Sequence, residues 1–337
     1  MNISEIAHIA GVSTATVSRV INHSPAVKPE TKEKVMQVIA EFGYTPSAIA
    51  RSLSIQSSLN IGVIFPDIAN PFFSGALNGL SKVAEEYRYN VFFCNSDENT
   101  DKEHRFLEQV KEQRLEGIII SPVDTNDRRT LKLLEGLEKA GIPVVLLDRD
   151  LKDGNFSMVI AENEKGAFDA VQVLVNEGHR KIAIIEGSPS NRPVYERTEG
   201  YRKAMKEAGI PIRPEYIVRG NQKSDPAYEM TGQLMRLDDP PTAIFTCNNM
   251  MTIGCIQYLT EQGIRIGKDI SLIGFDDIEV LRIVNFGLSV VHRSETEMGK
   301  IAMEMLVRRM KDPDGKKEKV VLPTEIILRG SEKSVIG

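Results

Sequence analysis

The run ISEIAHIAGVSTATVSRVIN, Ile3 to Asn22, breaks at Gly11 into two short helical patterns. Ser4 is placed to cap the first, whose apolar positions Ile6, Ala7 and Ile9 face inward, and Gly11 interrupts it after Ala10. Ser13 caps the second. From Thr14 to Ile21 the apolar residues Val17, Val20 and Ile21 fall at i, i+3 and i+4, so one face packs while Thr14, Ala15, Thr16, Ser18 and Arg19 stay outside. Two short helices across a tight turn make a helix-turn-helix unit. A third helix is expected near Glu30, with Val35, Val38, Ile39 and Phe42 on one face and a stop at Gly43. Helical period alone leaves an ordinary N-terminal bundle as the alternative.

Beyond Pro46, Ser47 to Ser54 could form one more helix. It is too short to hold in water alone, because isolated helices below about 12 residues are marginal. It needs a partner, or it is a linker with Leu53 packed on the next domain. From Ile61 the pattern changes to apolar strands alternating with amphipathic helices: IGVIF (61–65), VFFCN (91–95), GIIIS (117–121), PVVLL (143–147), KIAII (181–185), TAIFT (242–246) and ISLIG (270–274). Continuous apolar runs between helices mean parallel strands covered on both faces, a doubly wound α/β region. The first intervening helix carries Phe72, Ala76, Leu80, Val83, Ala84 and Tyr87 on its packed face. So many strands fit two lobes better than one, and the pattern restarts near 157–163.

The 337 residues suggest two or three folded units. The composition, 41% hydrophobic and 26% charged, contains no apolar run of membrane-spanning length, and no basic-then-apolar leader precedes the first helix. The chain is therefore expected to stay in the cytosol, with no membrane partner. Residues 1–60 hold five basic against four acidic side chains, a net of +1 that leaves −6 to the rest of a chain of total charge −5. That asymmetry is too small to argue nucleic-acid binding by itself. Cys94, Cys247 and Cys255 form no CxxC pair and read as buried thiols, and the five histidines show no HxxxH or HExxH spacing, so neither metal nor cofactor is expected. There is no GxSxG and no GxGxxG. The nearest phosphate-loop string, GIRIGK at 263–268, is one residue short and runs into Asp269, so an enzyme is not expected.

The string from Ile3 to Asn22, continued by KPETKEKV and FGYTPSAIARSL, resembles the N-terminal signature of the lactose-repressor/galactose-repressor (LacI/GalR) family of bacterial transcriptional regulators. The resemblance implies that the second helix lies in the major groove of operator DNA, with Thr14, Ala15 and Arg19 reading bases beside Thr16. Arg19 has the fork that matches guanine O6 and N7, Ala15 offers only apolar contact, and Ser13 suits a phosphate. It further implies that 47–54 is a hinge helix that orders against its dimer mate, with Leu53 wedged into the minor groove. A homodimer follows from a two-fold operator, and no heptad-patterned tetramer tail follows PTEIILRGSEKSVIG.

From 60 to 330 the chain resembles the periplasmic-binding-protein fold of the same family's effector domains. That likeness implies three crossings between lobes, near 157–163, 288–293 and 321–324, and a small-molecule site at the strand ends. The implied divisions are 1–46 for the DNA reader, 47–60 for the hinge, 61–160 with 291–321 for one lobe, and 161–290 with 322–337 for the other. By position, the effector residues are Asn70, Phe72 and Phe73 in DIANPFF, Asp148 and Arg149, Arg197, Asn248, Asp276 and Arg293. For any one of these a helix cap or surface role is the alternative. Two positions depart from the family's sugar pattern: Gln222 where many relatives carry an aromatic, and Arg293 where many carry Gln. Arg149, Arg197 and Arg293 together, with Arg192 near, point to an anionic effector such as a sugar acid or sugar phosphate, since guanidinium groups placed together repel unless an anion lies among them; Asp148 and Asp276 offset part of that charge. YRYNVFFCNSDENTDKE resembles the family's catabolite-control branch, which leaves a phosphorylated carrier protein as an alternative partner.

Overall fold

Asn2, rather than Ser4, opens the first helix in the computed structural model, which describes residues 2–21, 26–43 and 58–333. The Asn2 side chain accepts from the backbone N–H groups of Ser4 and Glu5 at 3.0 Å each, and the Glu5 carboxylate takes the Asn2 N–H at 2.9 Å. This reciprocal capping box satisfies two orphan donors at once, and it leaves Ser4 inside helix α1 (Ile3–Ala10). Gly11 ends α1 in the left-handed conformation at φ 64, which a side chain would strain. The inward positions are Ile6, Ala7 and Ala10, while Ile9 is 44% exposed: Ala10 lies a full turn beyond Ile6 and takes the place expected of Ile9. Helix α2 (Thr14–Ile21) buries Val17 and Val20, and α3 (Pro29–Glu41) buries Val35 and Val38. Phe42 falls just past the end of α3 and is exposed, so it is no part of the small three-helix core.

The chain divides into two compact units, Met1–Leu59 and Asn60–Gly337. In the second, strands β1 (Asn60–Phe65), β2 (Asn90–Asn95), β3 (Ile118–Ile120), β4 (Val144–Leu147), β5 (Ser157–Ala161) and β11 (Lys319–Leu322) form one parallel sheet in the order β11-β5-β4-β3-β1-β2. A second sheet holds β6 (Ile182–Glu186), β7 (Ile217–Arg219), β8 (Ala243–Thr246), β9 (Ser271–Phe275), β10 (Ser289–His292) and β12 (Glu325–Ile327), ordered β12-β10-β9-β8-β6-β7. Only β12, on β10, runs antiparallel among its described pairs. Sheet membership changes after β5, after β10 and after β11.

Alternation along the strands feeds a core on each face of the first sheet. Ile61, Val63 and Phe65 join α4 (Pro71–Glu86) and α12 (Glu295–Lys311) on one side. Ile64 and Ile118 join α5 (Thr100–Gln109) and α6 (Arg128–Lys139) on the other. Tyr87, just past α4, is 44% exposed and does not join the stripe expected of it. Helices α4 and α12 cross in near backbone contact: a Cβ on Gly79 would stand 1.9 Å from the Thr296 carbonyl oxygen, and one on Gly299 2.0 Å from that of Ala76. The second sheet is covered by α7 (Asn163–Asn176), α8 (Arg192–Glu207), α9 (Ser224–Met235), α10 (Asn249–Glu261) and the short α11 (Glu279–Ile283). Cys247 and Cys255 are buried free thiols there, and Cys94 is half-buried.

Candidate effector cleft and DNA-reading helix

On α2 the Ser13 hydroxyl accepts the Thr16 backbone N–H at 3.1 Å and lies 2.9 Å from the Thr16 hydroxyl. Ser13 therefore acts as the cap, and both hydroxyls are engaged at the helix start. Thr14, Ala15 and Arg19 are exposed and Thr16 is half-buried, all off the face that carries Val17 and Val20. Leu53 lies outside the described residues.

The two sheets end alike. Strand β4 runs into Asp148 at φ 67 and β9 into Asp276 at φ 71, left-handed positions that turn each carboxylate across its strand end. Their N–H groups are held by the Val159 and Val291 carbonyls at 2.8 and 2.9 Å. Arg293, one residue beyond β10, joins them: Nε donates to Asp276 Oδ1 at 2.7 Å, Nη2 to Oδ2 at 3.3 Å, and Nη1 to Asp148. The bridge is dry, with side chains only 2% exposed for Arg293, 6% for Asp148 and 7% for Asp276. The guanidinium lies 3.8 Å over the Phe72 ring. Burial works against its charge, but the two aspartates outweigh that and hold its proton above the usual arginine range. Burial likewise opposes an ionised Asp276, yet Arg293 and Arg197 keep its carboxyl below the usual range.

Arg149 makes a fork-to-fork pair with Glu98, at 2.9 and 2.7 Å, and also donates to the Pro122, Val123 and Gln222 oxygens at 3.3 to 3.4 Å. Its ring neighbour is Phe73 at 5.9 Å. Arg197 differs. Its partners are the Asn163 side-chain oxygen, at 3.0 and 2.9 Å, and the Cys247 carbonyl at 2.6 Å, and its guanidinium stacks 3.6 Å over Phe275. Burial, then the neighbouring Arg293, lowers its pKa to about 10. The structure thus gathers the expected arginines, and the offset expected from Asp148 and Asp276 falls on Arg293. Arg149 is neutralised by Glu98 and Arg293 by two aspartates, while Arg197 alone meets only uncharged oxygens. Arg192 is also paired, with Asp150 and, at 2.7 Å, Glu196.

Asn70 and Asn248 sit in the same region, both as helix caps. Asn70 Oδ1 accepts the Phe72 N–H at 2.9 Å, and Asn248 Oδ1 the Met251 N–H at 2.7 Å, with Asn248 Nδ2 donating to the Gln222 carbonyl at 3.1 Å. Glu98 and Asn163 were missed by sequence reading; each pairs with an arginine 51 or 34 positions away, a distance at which local pattern carries no signal. Among the described residues, Glu103, His104 and Asp127 alone bring potential metal-ligand atoms within 4.8 Å of one another. His104 Nε2 lies 2.7 Å from Asp127 Oδ2, and the other oxygens take the Thr130 hydroxyl and the Val123 and Arg129 N–H groups, so every one of these atoms already has a hydrogen-bond partner within the protein.

Residues 2–47 match the model of the lacI family of bacterial regulatory proteins, and 171–332 that of a periplasmic binding protein-like domain. Catabolite control protein A of Priestia megaterium is 35% identical over 336 residues, 99% of each chain. The HTH-type transcriptional repressor PurR of Vibrio vulnificus is 34% identical over 334 residues, again 99% of each. The crystal structure of the Lac repressor dimer bound to operator and the anti-inducer ONPF superposes with a TM-score of 0.85 at 26% identity, covering 99% of both chains. Among the described residues no helix is long and apolar enough to cross a membrane. A capped reader helix, two sheets of parallel strands with charged strand ends, and relatives matched end to end show one thing: this chain belongs to the LacI family of DNA-binding bacterial transcriptional regulators.

Proposed function

We propose that the chain represses a carbohydrate-utilisation operon as a homodimer and is switched by a small sugar-type effector, specifically a sugar acid or sugar phosphate, bound between its two lobes. On this reading residues 1–46 read the operator through Ser13, Thr14, Ala15, Thr16 and Arg19, and 47–60 form the hinge with Leu53. The lobes are 61–160 with 291–321, and 161–290 with 322–337. The carrying observation is the Asp148–Arg293–Asp276 bridge, which ties the end of one sheet to the end of the other. Hydroxyls that replace the guanidinium contacts would alter how the lobes meet, which is how a ligand acquires differential affinity for two lobe angles. The anionic group is assigned to Arg197, the one cleft guanidinium with no carboxylate partner, rather than to mutual repulsion among three. Phe72 and Phe73 supply apolar faces, and Asn70 and Asn248 their amide N–H groups.

Calorimetry of the full chain with neutral sugars, hexuronates and sugar phosphates tests this. A hexuronate or sugar phosphate should bind, and Arg197→Gln should weaken it about tenfold or more. Tight binding of a neutral sugar, indifferent to Arg197→Gln, would remove the anionic reading. A second reading has its own support in the 35% identity with catabolite control protein A: the main co-effector is a phosphorylated carrier protein. Retention of a phosphorylated carrier, but not of its unmodified form, by the operator-bound chain would favour it.

A further inference from the structure

Behind the cleft, between α5 and α6, four side chains share too few hydrogens for the contacts they make. The Thr130 hydroxyl stands 2.6 Å from Glu103 Oε1, 3.1 Å from Asp127 Oδ2 and 3.2 Å from His104 Nε2, and His104 Nε2 stands 2.7 Å from Asp127 Oδ2. With both carboxylates ionised, the threonine and imidazole hydrogens are the only two available. Thr130 then donates to Glu103, His104 donates to Asp127, and the Thr130–Asp127 contact is oxygen against oxygen with no hydrogen between. One further proton removes the conflict. It cannot sit usefully on His104, whose Nδ1 is buried without an acceptor. Asp127 is the poorer base, because its Oδ1 already takes the Arg129 and Thr130 backbone N–H groups at 2.8 and 3.3 Å. On Glu103 the proton fits: Oε1–H donates to Thr130, Thr130 donates to Asp127 and His104 donates to Asp127, so each contact with a carboxylate has its hydrogen and only the 3.2 Å approach of His104 to Thr130 has none of its own.

The same glutamate touches the cleft. Its Oε2 accepts the Val123 N–H at 2.9 Å, and the Val123 and Pro122 carbonyls accept from Arg149 Nη1 at 3.4 and 3.3 Å. We infer that Glu103 is the proton-accepting member of a buried network and that its charge is coupled through the Val123 peptide to Arg149, so that the effector cleft responds to pH. Only the cleft role of Arg149 rests on the function proposed above.

The groups facing Glu103 are Asp127, which caps α6, Thr130 on α6, His104 and Lys102 on its own helix α5, Cys94 on β2, and Arg149 after β4. Glu103 is fully buried, which pushes its carboxyl above the usual glutamate range; the Thr130 and Val123 hydrogen bonds pull the other way without cancelling this, and Asp127 adds to it. Asp127 is held low despite its own burial, chiefly by the Arg129 N–H and His104. As pH falls, Glu103 takes up its proton before an ordinary glutamate would, and the negative charge behind Arg149 disappears. The cleft becomes more positive, so an anion should bind more tightly at the acid end.

Carboxyl-selective 13C NMR of the full chain, with Glu103→Gln to assign the resonance, reads this directly. The Glu103 carboxyl should titrate above the roughly 4.3 of an ordinary glutamate. Asp127→Asn should move that midpoint down and Arg149→Gln should move it up, since they remove a negative and a positive neighbour respectively. A midpoint at or below the ordinary value overturns the proton assignment, and a midpoint indifferent to Arg149→Gln overturns the coupling. Neither readout needs a ligand, so both stand apart from the identity of the effector. If Glu103→Gln fails to fold, Thr130→Val serves instead, because it deletes the bridging hydroxyl and should alter the midpoint without changing any charge. With galacturonate as the probe, wild-type affinity should rise several-fold as pH falls through the midpoint, while Glu103→Gln should stay at the acid-limit value throughout. Binding of galacturonate with no such pH dependence would also overturn the coupling; no binding at all would count against the anionic effector alone.

Discussion

Replacing Arg293 by glutamine isolates what the bridge between the sheets contributes. Glutamine can donate to one of the two aspartates, so the other carboxylate is left buried and unpaired at 6 or 7% side-chain exposure. Removing one member of a buried ion pair costs about 3 to 5 kcal/mol, mostly the penalty of the stranded charge. At roughly 2 °C or more per kcal/mol for a domain of this size, the Tm should fall by about 6 to 10 °C at neutral pH. The pH dependence has a definite sign. In the wild type the Asp276 carboxyl is depressed, so its contribution is complete above the ordinary aspartate pKa and is lost as pH falls through the lower folded value. In the variant the two aspartates are crowded without their cation, one of them must rise, and protonating it relieves the strain. The gap between variant and wild type should therefore narrow from pH 8 to pH 5. Thermal unfolding followed by circular dichroism across that range measures it. A gap under about 1 kcal/mol, or one that widens on acidification, would show that the bridge is not the buried charge pair described above. Arg293→Met combined with Asp148→Asn and Asp276→Asn should recover most of the loss, because deleting every charge strands none.

Arg19→Ala should cost about 1 to 3 kcal/mol of operator binding and relax preference at one base pair per half-site, read by footprinting on a randomised operator; a loss uniform over all sequences would make Arg19 a phosphate contact. Gly79→Ala should destabilise by about 1 to 3 kcal/mol in denaturant titration, since its Cβ would meet the Thr296 carbonyl at 1.9 Å. Gly136→Ala, with nothing within 4 Å, should be neutral or stabilising by up to about 1 kcal/mol, and equal effects at the two sites would refute the close crossing of α4 and α12. Light scattering of the full chain should give a dimer, and a stable tetramer at micromolar concentration would contradict this.

Much of the second unit was legible because a parallel sheet buried on both faces writes itself as continuous apolar runs, and the strand ends then fall at known places. Asp148 and Asp276 are placed that way, whereas Arg293 came from the family resemblance. β5 and β10 were read only as crossings between lobes, and the short strands β7, β11 and β12 were not found at all: IVR, KVVL and EII lie at sheet edges, where half-exposed residues break the apolar run. At the N-terminus the deciding signal was present and outranked. Both Asn2 and Ser4 can cap, but only Asn2 has a glutamate three residues on, and Glu5 closes the box.

What the sequence withheld was the pairing of charges. Arg149 and Arg293 at strand ends and Arg197 on α8 suggest a positive pocket, offset only in part by Asp148 and Asp276, while Glu98 is unknown, and Glu98 reaches Arg149 from 51 positions away. Once paired, the same residues describe a nearly balanced interior in which Arg197 is the exception. Balance changes what a ligand must do. In an uncompensated pocket an anion binds by neutralising charge, whatever the lobes are doing. In a balanced one it must exchange protein contacts for its own, and the contacts available for exchange, the Asp148–Arg293–Asp276 bridge and Arg149 with Gln222, run from the strand ends of one sheet to those of the other. Binding and lobe angle are then linked by the same hydrogen bonds, so a ligand that competes for them carries the differential affinity that a repressor's switch requires.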